Sequence, residues 1–84
     1  MIFVYALFDR KSSEIYVGMT NNIERKVAEH RRGQSKYTRK FKSIECLLLE
    51  EYASYGEGRK REKYLKSGCG KEFLKEILKN AGVV

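Results

Sequence analysis

Five side chains spread along the chain carry groups able to move protons, hold charge or ligate a cation: Tyr5, Tyr16, Lys26, His30 and Glu62. Hydrolysis of a phosphodiester asks for a base near the attacking water, a cation to offset charge on the transition state, and a metal to steady the leaving oxygen. This set offers a candidate for each. The two tyrosines put hydroxyls inside otherwise apolar blocks, Val4-Tyr5-Ala6-Leu7 and Ile15-Tyr16-Val17-Gly18-Met19-Thr20. Lys26 and His30 stand four apart on one helical stripe, and Glu62 falls on the inward stripe of a later helix. Five polar groups turned toward a small core would be costly unless they shared a cleft, so the pattern predicts one concave surface where all five meet.

The elements that must position them follow from periodicity and turn chemistry. Residues 2–8 form an apolar run that reads as a buried strand; 9–13 are polar turn material, and 14–19 a second strand, so a β-hairpin results. On the first strand Phe3, Tyr5 and Leu7 share one face, and on the second Tyr16 shares a face with Gly18. Thr20-Asn21-Asn22 supplies N-cap residues, Asn21 and Glu24 approximating a capping box, for a helix from about 22 to 32 that stops at Gly33. At 100° per residue Lys26 and His30 fall beside Ile23 and Val27, whereas Arg25 points to solvent.

A basic loop follows, with Lys36-Tyr37-Thr38-Arg39-Lys40, and then a third strand over 44–49. Residues 53–58 read as a turn or helix entry, 59–66 as a helix with Tyr55, Gly58, Glu62 and Leu65 on its stripe, and 71–79 as a last helix packing through Phe73, Leu74, Ile77 and Leu78. The order is ββα-β-αα: one α+β domain over residues 1–84, with a three-stranded antiparallel sheet flanked by helices.

Lys and Arg number 18 against 11 Asp and Glu, a net charge of +7, and the excess gathers in 25–42 and 59–71. Clustered positive charge draws polyanions by phosphate contact and counterion release, which points to nucleic acid, DNA ahead of RNA. The two cysteines match neither a zinc site nor a disulfide framework. No stretch approaches a membrane span or has the basic start of an export signal, so a cytoplasmic location is expected and no membrane partner.

The tyrosine blocks, the basic helix ending in His30, the Lys-Tyr-Thr loop and the later helix carrying Arg61-Glu62 occur in the order of the GIY-YIG endonuclease family, which the chain resembles over nearly its whole length. The resemblance implies a nuclease fold of the same ββα-β-αα order. It also implies that Tyr5 activates or positions the water with Tyr16 beside it, that His30 helps in proton transfer, and that Glu62 holds a single divalent metal, Mg²⁺ or Mn²⁺ by hard-acid chemistry. Gly18 matches a glycine that lets backbone and phosphate approach closely. In one respect the chain departs from the family: the catalytic arginine falls on position 26, which is Lys26 here, a point charge in place of a bidentate fork.

Phosphate contacts are expected from a rim of Arg25, Lys36, Tyr37, Arg39, Lys40 and Arg61. Taken singly, each site residue has an ordinary reading as well. A strand tyrosine often sits at the rim of a core, a histidine at a helix end complements the dipole, and Glu62 between Arg61 and Lys63 suits a solvated ion-pair face. The expected function is metal-dependent hydrolysis of DNA, acting on branched, nicked or damaged structures. The alternative is a nucleic-acid-binding module on the same fold that does not cut, and a protein-interaction domain is more remote. Oligomeric state is not legible.

Overall fold

A computed structural model describes residues 1–34 and 38–81. Its elements are β1 (Ile2–Asp9), β2 (Ile15–Thr20), α1 (Ile23–Arg31), β3 (Ile44–Tyr52), α2 (Tyr55–Lys66) and α3 (Gly68–Asn80), the α+β order read from the sequence. The strands form one antiparallel sheet in the order β2-β1-β3. Central position explains the composition of β1: both faces are covered, so an unbroken apolar run replaces alternation, and residues 4–9 are all buried.

Register decides which side chains meet. Tyr5 pairs with Gly18 and Leu7 with Tyr16 on β2, so both tyrosines stand on one face of the sheet. The opposite face presents Val4, Ala6 and Val17 to Leu65 of α2 and Leu74 of α3, the buried core. A register shift in β3 between the partners of Ala6 and Leu7 marks a bulge.

Several boundaries differ from the sequence reading, each for a local reason. Asn22, not Asn21, caps α1 by accepting from the Arg25 amide at 3.1 Å. β3 runs on to Tyr52 because Glu50 and Tyr52 keep pairing with β1 and Glu50 receives Arg61. Ser54 caps α2, which therefore starts at Tyr55, and Ser67 caps α3, which starts at Gly68. Two expected core residues lie at the surface: Tyr55 in the first turn of α2, and Phe73, whose ring lies against the Arg61 guanidinium.

Two structural devices had no counterpart in the sequence reading. Asp9 is buried, and its carboxylate accepts from the amides of Lys11 and Ser12 in the hairpin turn and of Lys42 and Ser43 before β3. It ties the β1–β2 turn to the segment that carries Thr38. Gly70 lets α3 start directly against α2, since a Cβ there would collide with the Tyr64 carbonyl and the Leu65 backbone.

Candidate active site

α1 presents an amphipathic face on which the single buried side chain is polar, His30. Its Nε2 lies 2.9 Å from Tyr5 Oη and its Nδ1 2.5 Å from Thr38 Oγ1, so both ring nitrogens are engaged at once. Tyr5 is 1 % exposed and Thr38 fully buried, so the hydrogen bonds of this three-group chain are shielded from bulk solvent. Tyr16 completes the cluster, its ring centroid 5.0 Å from that of His30 and 6.2 Å from that of Tyr5.

Electrostatics fix the protonation states. Burial, then the neighbouring Tyr16, Glu29 and Glu62, pushes the Tyr5 phenol well above its ordinary value, so it stays protonated at neutral pH. Burial and the Lys26 ammonium push His30 below its ordinary 6.5, outweighing the opposite pull of Glu29. A neutral ring has one N–H, so one of its two contacts is donated and the other accepted. With Nε2 accepting from Tyr5, Nδ1–H donates to Thr38.

Lys26 is half exposed, with Nζ 3.7 Å from Glu29 Oε1; Arg25, more exposed, reaches the other oxygen of Glu29 at 3.9 Å. Of these two cations it is Lys26 that acts on His30, against the pull of Glu29. Glu62 projects from α2 with a side chain 9 % exposed; Arg59 and Lys66 hold its oxygens at 2.5 and 3.2 Å. Its charge is felt by Tyr5. The structure thus gathers Tyr5, Tyr16, Lys26, His30 and Glu62 around one region.

The expected rim is less uniform. Arg61 is turned away from this region, bidentate on Glu50 at 2.8 and 3.1 Å and flanked by the Tyr64 and Phe73 rings at 5.2 Å each. Burial would raise the Glu50 carboxyl, but the Arg61 and Tyr52 hydrogen bonds overcome it and hold it below its ordinary value. Arg39 is exposed, Lys40 pairs with Glu14 at 3.2 Å, and Lys36 and Tyr37 lie outside the described residues. Gly18 has a different use from the one its motif implied: the Tyr5 ring fills the space above it, a Cβ there falling 2.5 Å from Tyr5 Oη. Thr38, absent from the expected site, was signalled only as the third residue of the Lys-Tyr-Thr loop.

The family model of the GIY-YIG catalytic domain matches residues 1–73. The chain belongs to the GIY-YIG family. Among its relatives, a UPF0213 protein encoded in the ldhD 5′ region of Pediococcus acidilactici is 37% identical over 73 residues, 83% of this chain and 74% of that one. A UPF0213 protein of Staphylococcus haemolyticus is 31% identical over 68 residues, 80% of this chain and 83% of its own, and one from Natronomonas pharaonis is 41% identical over 54, covering 63% and 64%. No solved structure matches. This is a nuclease family, which implies nucleic acid as the substrate class, and its nucleases generally use divalent metals. Among the described residues no helix is long and apolar enough to cross a membrane.

Proposed function

We propose that this GIY-YIG protein is a metal-dependent endonuclease that hydrolyses phosphodiester bonds in DNA. The observation that carries the reading is the Tyr5–His30–Thr38 chain, a protonated phenol aimed at a neutral imidazole. Water attacking phosphorus must lose a proton; Tyr5 takes it while passing its own to Nε2, and Thr38 steadies the resulting imidazolium from the other side. His30 is the better final acceptor because its ring is neutral at pH 7, whereas burial holds the Tyr5 phenolate out of reach. Lys26 lies beside this pair and neutralises charge that builds on the phosphoryl oxygens.

No group of three or more His, Cys, Asp or Glu among the described residues forms a ready-made cage for a metal. A lone carboxylate suits Mg²⁺ or Mn²⁺, which bind through one or two carboxylates and keep water and phosphate as their other ligands. Glu62 fits that role: its two cationic partners are long, half-exposed side chains able to swing aside. A metal held there would supply charge stabilisation at the leaving oxygen.

The second reading, binding without cleavage, is favoured by Lys26 at the arginine position. Purified protein incubated with supercoiled plasmid and Mg²⁺ decides between them. Nicking that EDTA and Glu62→Ala each abolish supports the endonuclease; binding to the plasmid with no nicking at any metal concentration sinks it.

A further inference from the structure

Beside the tyrosine site an open cleft of about 670 Å³ runs along the free edge of β2. Four lysines line it, Lys40, Lys66, Lys71 and Lys75, against one carboxylate, Glu14, which Lys40 already neutralises. Its apolar surface is that of the half-buried Ile15 and Phe41, with the buried Val17, Leu65 and Leu74 of the core beneath them. Two residues belong to both cleft and site. Tyr16 lines the cleft and its ring lies tilted beside that of His30, and Lys66 lines it while pairing with Glu62. The loop joins them again, because the Phe41 amide donates to the carbonyl of Thr38, the residue that holds His30.

Resting on the nuclease reading, we propose that this cleft receives an unpaired nucleic-acid strand next to the bond to be cut, so that the substrate class is single-stranded or locally unwound. Lysines alone would serve any polyanion. The cleft lies in the volume range of ligand pockets, and its apolar surface has no use for phosphate by itself. A duplex keeps its bases stacked inside and offers only groove edges and phosphates, leaving that surface wet. An unpaired strand satisfies both features: its bases lie on the apolar surface of Ile15 and Phe41, and its phosphates meet the lysines. Among the described residues Lys71 has no ion-pair partner, and the exposed partner of Lys75, Glu72, is held only at 3.8 Å. Both ammonium groups are therefore open to phosphate.

The test is binding by fluorescence anisotropy, using the full chain with Tyr5→Phe to prevent cleavage. Labelled DNA of about ten nucleotides is compared with a blunt duplex of the same length and with poly-glutamate. The expected result is preference for the single strand, and a salt slope reduced in magnitude by about 1.4 in Lys71→Ala/Lys75→Ala, at about 0.7 per lost phosphate contact on a single strand. Phe41→Leu keeps the apolar volume but removes the stacking plane, and should weaken binding roughly five- to fiftyfold. Equal affinity for duplex or for poly-glutamate would overturn the proposal, as would unchanged binding in both variants when their thermal melts match the parent. If the parent never nicks DNA while single-strand binding depends on Lys71, Lys75 and Phe41, the nuclease reading fails and the cleft assignment stands.

Discussion

The Tyr5 ring occupies the space that a side chain at position 18 would need: a Cβ built on Gly18 lies 2.5 Å from Tyr5 Oη and 2.6 Å from its Cζ. The two residues are cross-strand partners, so neither can move without distorting the hairpin. Gly18→Ala must therefore push the hydroxyl away from His30 Nε2. We expect nicking to fall about 10²-fold or more, the contribution of a positioned acid–base group, with far-ultraviolet circular dichroism unchanged. An Ala variant with parental activity would show that the Tyr5–His30 contact is dispensable.

His30 gives the pH dependence its sign. Its pKa is lowered by burial and by Lys26, so the neutral, proton-accepting ring persists below the ordinary value of 6.5. The acid limb of kcat/KM should lie below pH 6.5, and Lys26→Ala, which removes a repelling charge, should move it upward. The unfolded chain takes up this proton at a higher pH than the folded one. The fold therefore loses stability as pH drops through the window below 6.5. An acid limb well above 6.5, or one unmoved by Lys26→Ala, contradicts this assignment.

How far the sequence revealed these relationships depends on their range. Tyr5, Tyr16, Lys26, His30 and Glu62 were legible because strand alternation and helical phase act over a few residues, and each element is regular enough for phase to fix direction. The order of elements was legible for the same reason. Thr38 was not, since its contact with His30 spans a loop whose path no periodicity dictates. Arg61 looked like one more basic surface residue; only the extension of β3 brings Glu50 under it. Gly18 looked like room for a phosphate, and only the pairing of β1 with β2 shows that Tyr5 takes that room.

Asp9 should matter beyond the turn it begins. Hydrogen bonds from Ser43, Ser12, Lys11 and Lys42 outweigh burial and hold its carboxyl below the ordinary 3.8. Stability from this group is present above that value and is lost as pH falls from 3.8 through the folded-state pKa. Asp9→Ala should lower Tm by several degrees and, by freeing the segment that carries Thr38, reduce activity further than its melting loss explains. Asp9→Asn, which keeps an acceptor oxygen, should recover part of both. Full activity in a destabilised Asp9→Ala would separate the turn from the site.

Close packing at Gly70 separates the helix pair from the Tyr5–His30–Thr38 chemistry. A methyl group there meets the Tyr64 carbonyl and the Leu65 backbone, neither of which can rotate away. Gly70→Ala should force α3 from α2 and destabilise the fold by about 1–3 kcal/mol, the usual range for overpacking, measured by urea denaturation. At saturating DNA its residual activity, scaled to the folded fraction, should equal that of the parent, because the contacts among Tyr5, His30 and Thr38 do not involve α3, whereas DNA affinity should fall as Lys71 and Lys75 shift with the helix. A loss beyond that fraction would mean that the helix pair also shapes the site.

Lys26 is where chemistry and family pattern part. Its ammonium rests 3.7 Å from Glu29 and close enough to His30 to lower the ring's proton affinity. A phosphate entering the site competes with Glu29 for that charge, and a single ammonium gives one contact where a guanidinium fork gives two parallel ones. If the site cuts, Lys26→Arg should raise single-turnover nicking, and Lys26→Ala should lower it by roughly 10²-fold, as for other charge-stabilising donors. Arginine in the neighbouring position cannot take over, since Arg25 is the more exposed of the two and reaches Glu29 from its outer side. If the protein only binds, all three proteins leave the plasmid intact and Lys26→Ala weakens binding slightly. Equal, robust rates in all three would remove position 26 from the chemistry and leave Tyr5 and His30 to act without a cation from α1.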